Sequence, residues 1–211
     1  MKNILVIVPH FDDEVLGFGG VIQKHVMNKD VVTVCIVKKS LDLRAKIQET
    51  RVECAKKYLG YQNLIKLNIE EDLYNFTLDT VVKIETFVKK NNFTTLYMPF
   101  YNDQHQEHRG LFNIIKVIGR NDEVGIKEYI CGEIISSTGS SLECNFNPNL
   151  YIQIDKNILK NKIRAMNCYK EELKPAPHPR SEYGITNTAI FRGMQSGLKY
   201  SEAFKIIKKI D

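Results

Sequence analysis

The stretch Val8-Pro9-His10-Phe11-Asp12-Asp13-Glu14 joins a predicted strand to a predicted helix. It follows an apolar run, residues 4–8, that is typical of a buried strand. It precedes a glycine pair and a helix-forming segment that begins near residue 15. One imidazole and three carboxylates at such a turn lose hydration, and a bound cation would offset that cost. The stretch therefore predicts a divalent-metal site.

A second segment carries further candidate ligands. Asp103-Gln104-His105-Gln106-Glu107-His108-Arg109 follows another strand-like run, residues 94–98. If a helix begins near His105, then His105 and His108 lie one turn apart on the same face. Parallel strands would bring both segments to one edge of the sheet, where open α/β sheets bind ligands. His10 and Asp13, with His108 or His105, then make three protein ligands and leave a position for water, as in catalytic zinc sites.

The surrounding pattern predicts the fold class. Strands at residues 4–8, 31–37, 64–67 and 94–98 alternate with helices at residues 15–28, 43–59 and 78–90. This alternation predicts a three-layer, Rossmann-like α/β fold with a mostly parallel central sheet. The later segments predict a helix at 110–118, strands at 128–136 and 151–154, a helix from 155 to about 173 and a final helix at 201–209. No repeat or linker interrupts the pattern, so we expect one domain spanning residues 1–211.

The two motifs, together with Gly19-Gly20 and the segments near residues 150–155, 162–169 and 200–204, resemble the PIG-L/LmbE-like family of zinc-dependent N-acetylglucosamine deacetylases. The resemblance implies that His10, Asp13 and His108 bind Zn²⁺, with another divalent metal such as Fe²⁺ left open. It also implies that Asp12 is the general base and that a protonated His105 stabilises the transition state.

The same resemblance implies a small-molecule substrate, an N-acetylated amino sugar of the GlcNAc type whose second half is a lipid, inositol, malate or nucleotide. Arg109 and Arg180 are candidates for holding a phosphate or carboxylate of that substrate, and surface ion pairs would explain them equally well. Asp103 is a further candidate contact, because it stands where some family members have an oxyanion-donating tyrosine. Two alternatives remain open: an amidase of a thiol–sugar conjugate, and a non-catalytic sugar-binding relative in polysaccharide biosynthesis.

The sequence also departs from the family's usual residues at three positions. Phe11 stands where the family usually has proline. Gln48 and Arg51 stand where it usually has arginine and glutamate, which puts substrate contacts from that helix in doubt.

Composition restricts the remaining function classes. The chain has 211 residues, 43% hydrophobic and 26% charged, which is typical of a soluble domain with a full core. It lacks the ~20-residue apolar run of a membrane helix and the pattern of a signal peptide, so we expect a cytoplasmic protein. The net charge is +5. The basic residues are not interleaved with aromatic residues that could stack on bases, which argues against a nucleic-acid partner. Five scattered cysteines predict free thiols in a reducing compartment. The sequence leaves the oligomeric state open.

Overall fold

The computed structural model describes residues 1–40, 42–139 and 146–210, without the side chains of 42–44 and 122. Across these residues seven strands form one sheet: β1 (Asn3–Val8), β2 (Val31–Lys38), β3 (Asn63–Ile69), β4 (Thr95–Pro99), β5 (Glu128–Gly132), β6 (Leu150–Gln153) and β7 (Ser201–Lys209). Their order is β3-β2-β1-β4-β5-β7-β6. The first five pair in parallel, whereas β7 runs antiparallel to both β5 and β6. The predicted mostly parallel α/β fold is confirmed.

Helices cover both faces of this sheet. In the described part of the chain they are α1 (Asp13–Met27), α2 (Asp42–Leu59), α3 (Leu78–Lys90), α4 (Gln106–Ile118), α5 (Lys156–Asn167) and α6 (Glu182–Ser196). One core contains residues of α1, α2, α5 and α6, and the other contains residues of α3 and α4. Because both faces of β1 are buried, its sequence is a continuous apolar run. None of the helices described here is both long enough and apolar enough to span a bilayer.

The position of β1 in the sheet places the candidate site. The chain passes from β1 to β2 on one side, and it reaches β4 on the other side of β1. The carboxyl ends of β1 and β4 therefore flank the crevice where the strand order reverses, the usual ligand site of open α/β sheets. The turn that begins at Pro9 follows β1, and the turn that begins at Phe100 follows β4.

The C-terminal third differs from the predicted elements. The predicted helix at 201–209 is wrong: these residues form β7, because their backbone pairs with β5 and β6 and their apolar side chains Ala203 and Phe204 are buried. The sequence pattern did not predict α6, although Ser181 caps its start and Gly197, at φ +71°, ends it. Strand β5 is shorter than predicted, and α5 ends at Asn167, before a 3₁₀ turn at Lys170–Glu172.

Two cysteines also differ from the prediction. Cys54 of α2 and Cys168 at the end of α5 form a disulfide, so the expectation of free thiols is wrong for this pair. They are 114 positions apart and meet because α2 packs against α5, a contact that no sequence spacing reveals. Cys35 and Cys131 are buried free thiols, as predicted. Cys144 lies outside the described residues.

Candidate active site

The turn between β1 and α1 holds Asp12 in an unusual backbone conformation. Asp12 has φ +88° and is the N-cap residue of α1. Its carbonyl oxygen accepts from the N–H of Leu16 at 2.9 Å, and its own N–H donates to Glu14 Oε2 at 3.0 Å. A non-glycine residue in the left-handed region is uncommon and costs about 1–3 kcal/mol, and such residues concentrate at functional sites. The turn gives the adjacent carboxylates of Asp12 and Asp13 different surroundings.

Asp13 contacts two members of the histidine cluster that His10, His105 and His108 form. Its side chain is buried, and its Oδ2 lies 3.2 Å from His10 Nδ1 and 3.1 Å from His108 Nε2. The same oxygen accepts from the backbone N–H of His10 at 3.1 Å. Burial acts to raise the pKa of Asp13, but His108 and His10 outweigh burial and hold that pKa well below its ordinary value. Asp13 is therefore a carboxylate across the physiological pH range.

His108 lies between two carboxylates, with Asp13 at its Nε2 and Asp103 Oδ1 3.1 Å from its Nδ1. Burial acts to lower the pKa of His108, but these carboxylates outweigh it and raise the pKa to about 10. The surroundings of Nε2 thus favour a positive charge, which a metal ion supplies in place of the proton. Donor nitrogens of His10, His105 and His108 lie within 4.8 Å of one another. With Asp13, this donor set suits a divalent metal.

His105 differs from its expected protonation state. Burial and then the neighbouring His108 and His10 lower the pKa of His105 to about 4, so its ring is neutral at neutral pH. The backbone N–H of Glu107 donates to His105 Nδ1 at 3.2 Å, which leaves the ring proton on Nε2. The expected protonated His105 is therefore replaced by a neutral imidazole that still has one N–H to donate.

Asp103 and Arg109 lie behind the cluster. Asp103 is buried, and besides His108 its carboxylate accepts from the His105 N–H at 2.7 Å and from the hydroxyls of Ser137 and Thr138. Arg109 Nη1 donates to the carbonyls of Asp103 and Gln104 at 2.6 and 2.7 Å. Asp103 therefore fixes the ring of His108, as carboxylates commonly do behind metal-binding histidines, and Arg109 braces the same turn.

Asp12 is surrounded by residues from distant segments. Its Oδ2 lies 3.1 Å from Arg180 Nη1, although the two groups are not aligned as a hydrogen bond. Burial and then Asp13 raise the pKa of Asp12 well above its ordinary value, and Arg180 opposes them. Glu14, beneath the turn, accepts from the Tyr169 hydroxyl at 2.6 Å. Burial raises the pKa of Glu14 to about 7, so the group that supports the turn is itself easily protonated.

A cavity of about 310 Å³ opens above these groups. The expected site residues that line it are His10, Asp12, Asp13, His105, His108 and Arg180. Asp103 and Arg109 are not among the described residues that line the cavity. Neither is therefore in the position that the expected contact with the substrate requires. Sequence reasoning missed Ser137 and Lys38, which also line it. Neither belongs to a motif, and a serine after β5 carries no signal of its own.

The fold is similar to that of several solved proteins. The conserved protein TT1542 from Thermus thermophilus matches with a TM-score of 0.82 and 15% identity, over 100% of this chain and 97% of its own. N,N'-diacetylchitobiose deacetylase from Pyrococcus horikoshii matches with a TM-score of 0.77 and 18% identity, over 98% of this chain and 84% of its own. The 4-carboxy-2-hydroxymuconate hydratase GalB from Pseudomonas putida matches with a TM-score of 0.79 and 14% identity, over 100% of this chain and 98% of its own. At these identities the likeness shows the fold alone.

The sequence comparisons show the family. No curated protein sequence matches the chain. The PIG-L family, described as GlcNAc-PI de-N-acetylase, matches residues 5–118, which is more than half of the chain. The matched region runs from β1 to the end of α4 and includes both histidine motifs. The chain therefore belongs to the PIG-L family and is a hydrolase of the deacetylase class.

Proposed function

We propose that the protein is a zinc-dependent N-deacetylase that removes the acetyl group from a GlcNAc-type amino-sugar conjugate. One observation supports the proposal: two adjacent carboxylates have different surroundings. Asp13 Oδ2 lies between His10 and His108, whereas Asp12 Oδ2 faces Arg180 at the cavity wall. His10, Asp13 and His108 would hold the metal, and Asp12 would stay free to carry a proton.

The chain's own residues supply the proton transfers. When bound, the metal supplies Lewis acidity toward the amide carbonyl and lowers the pKa of a water molecule. Asp12 accepts the proton of the attacking water and returns it to the nitrogen as the carbon–nitrogen bond breaks. His105 donates its Nε2–H to the carbonyl oxygen as that oxygen gains negative charge, a contribution of about 3–4 kcal/mol. The products are acetate and a free amine.

The substitution Asp12→Asn tests the division of tasks. We expect acetate release to fall by a factor of about 10² to 10⁴, the usual contribution of a general base. Metal content, measured on the same preparation, should stay at the wild-type value because Asp12 is not a ligand. Asp30→Asn is the matched control, since it removes a buried carboxylate that contacts a histidine elsewhere in the protein. A metal-loaded, fully active Asp12→Asn protein contradicts the assignment.

A panel of acylated sugars tests the reaction class. We expect acetate from N-acetylated amino sugars in an amount equal to the free amine formed. Release of a larger acid from a thiol–sugar amide, with no acetate from the panel, would favour an amidase instead. The metal assignment has its own readout: the double substitution of His10 and His108 by alanine should abolish metal binding, and unchanged metal content contradicts it.

A further inference from the structure

A second cavity adjoins the candidate active site. It has a volume of about 390 Å³ and shares Phe11, Lys39 and Ser40 with the first. The other residues that line it are Ala45, Glu49, Lys66, Asn68 and Glu70. We call this second cavity the outer groove. Because the two cavities share a wall, a substrate bound at the histidine cluster can extend past Phe11 into the outer groove.

The charges of the outer groove are paired with one another. Lys39 Nζ lies 2.7 Å from Glu70 Oε1, and Lys66 Nζ lies 2.5 Å from Glu49 Oε1. Among the described residues that line the groove, two lysines are therefore matched by two glutamates. A phosphate or carboxylate bound to either lysine would lie beside that lysine's glutamate partner, a like charge that weakens its binding. A neutral group with several hydroxyls can donate to the carboxylates and accept from the ammonium groups while both pairs remain.

The backbone beside the groove is irregular. The pairing of β3 with β2 shifts between Ile36 and Lys38, where one more residue of β3 than of β2 is accommodated. Asn68, in this bulge, has φ +52°. Such bulges change the direction in which a side chain points. The amide of Asn68, a residue that lines the outer groove, offers both a donor and an acceptor.

The boundary between the two cavities offers an aromatic face and a buried acceptor. Phe11 lines both cavities and is partly buried against the core, so its ring is held in place. The C–H face of a sugar ring would pack on such a ring, as apolar surfaces do in small-molecule sites. Gln48 lines the first cavity, and its buried Oε1 has no hydrogen-bond partner within the described chain. A buried acceptor of this kind calls for a donor, and a sugar hydroxyl supplies one.

We propose that the outer groove binds the second unit of the substrate, and that this unit is a neutral, hydroxyl-bearing ring such as a second sugar. The proposal rests on the deacetylase function above and narrows its substrate class. Phe11 separates the two subsites and Gln48 contacts the junction. The expected substrates are therefore N-acetylated disaccharides or longer chains, in preference to conjugates with a phosphate or a carboxylate.

Substrate length tests the proposal. The probes are N-acetylglucosamine, its β-1,4-linked dimer, and N-acetylglucosamine 1-phosphate as the anionic conjugate. For wild-type protein we expect kcat/KM for acetate release to be at least about 10-fold higher with the dimer than with either other probe. Equal values for monomer and dimer overturn the subsite. A preference for the phosphate overturns the neutral character of the second unit.

Ala45→Trp fills the outer groove without changing a residue of the first cavity. We expect the dimer-to-monomer ratio of kcat/KM to fall by about 10-fold in this variant, and by a smaller factor in Lys66→Met. Lys89→Met is the matched control, because Lys89 is also ion-paired, to Glu85 at 3.2 Å, but lies on α3 away from the groove. An unchanged ratio in Ala45→Trp contradicts the proposal.

Binding measurements separate this proposal from the reaction itself. Titration calorimetry with the dimer, with both proteins carrying Asp12→Asn to suppress turnover, should give an affinity at least about 10-fold weaker when Ala45 is replaced by Trp. If no probe releases acetate but this difference in dimer affinity is found, the deacetylase function fails and the sugar subsite stands. If acetate is released but dimer affinity is the same in both proteins, the subsite fails and the function stands.

Discussion

Arg180 Nη1 lies 3.1 Å from Asp12 Oδ2 and 3.0 Å from Glu172 Oε2, so one guanidinium joins the proline-containing segment to the candidate base. Arg180→Gln removes the positive charge that offsets the neighbouring carboxylates around buried Asp12. We expect kcat for acetate release to fall by about 10- to 100-fold, because an unpaired buried carboxylate is costly to keep ionised. The measurement is kcat at saturating substrate, with metal content determined in parallel.

Arg164→Gln is the control for this change, since Arg164 is an exposed arginine in the last turn of α5. It should leave kcat at the wild-type value. Wild-type turnover in Arg180→Gln would show that the ion pair with Asp12 has no part in the reaction.

Asp103 accepts from His108 Nδ1 and so fixes the nitrogen that faces Asp13. We expect Asp103→Asn to weaken metal binding by about 10- to 100-fold, the usual effect of losing a carboxylate behind a metal-binding histidine. Competition with a chelator measures the affinity. Asp30→Asn is again the matched control, because Asp30 Oδ2 lies 2.8 Å from His25 Nδ1 at a different end of the sheet. Equal metal affinity in wild type and Asp103→Asn would refute this role.

The disulfide between Cys54 and Cys168 closes a long loop whose ends are 114 positions apart in the sequence. We expect reduction, or the double substitution of both residues by serine, to lower the free energy of unfolding by about 2–4 kcal/mol. Urea unfolding with and without a thiol reductant measures the effect. The double variant is its own control, because its midpoint should not respond to the reductant. Identical midpoints for oxidised and reduced wild type contradict the prediction.

Asp30 gives the fold an acid-sensitive contact away from the site. Its side chain is 10% exposed. Burial acts to raise the pKa of Asp30, but the N–H of Lys2 and the imidazole of His25 outweigh it and lower that pKa. Because the folded protein binds this proton more weakly than the unfolded chain, the group stabilises the fold above the unfolded-state pKa of about 4. That stabilisation disappears as the pH falls through the lower, folded-state pKa.

We therefore expect Asp30→Asn to lower the free energy of unfolding at pH 7 by about 1 kcal/mol. The same variant should flatten the loss of stability between about pH 5 and pH 2. Urea unfolding at several pH values measures both effects. Asp79→Asn, a change at an exposed carboxylate in the first turn of α3, should follow the wild-type pH profile. A parallel profile for Asp30→Asn would contradict the prediction.

The local sequence was sufficient to predict some of the elements. The apolar run at Ile4 to Val8 indicated a strand buried on both faces, and the predicted helix Leu78–Lys90 is confirmed at both ends. It was insufficient for β7, whose apolar positions suit a helix as well as a strand. There the backbone partners in β5 and β6 decide the conformation, and those partners are far away in the sequence.

The candidate site shows the same division. Residue order alone determined that His10, Asp12 and Asp13 follow a buried strand and that His105 and His108 follow another. The tertiary structure decided their partners. In the folded chain Asp103 and Arg109 lie behind the cavity, and Arg180 lies beside Asp12. Cys54 and Cys168 form a disulfide. The physical reason is that motifs carry the chemistry of neighbouring residues, whereas burial, charge pairing and access depend on segments that meet only after the chain has folded.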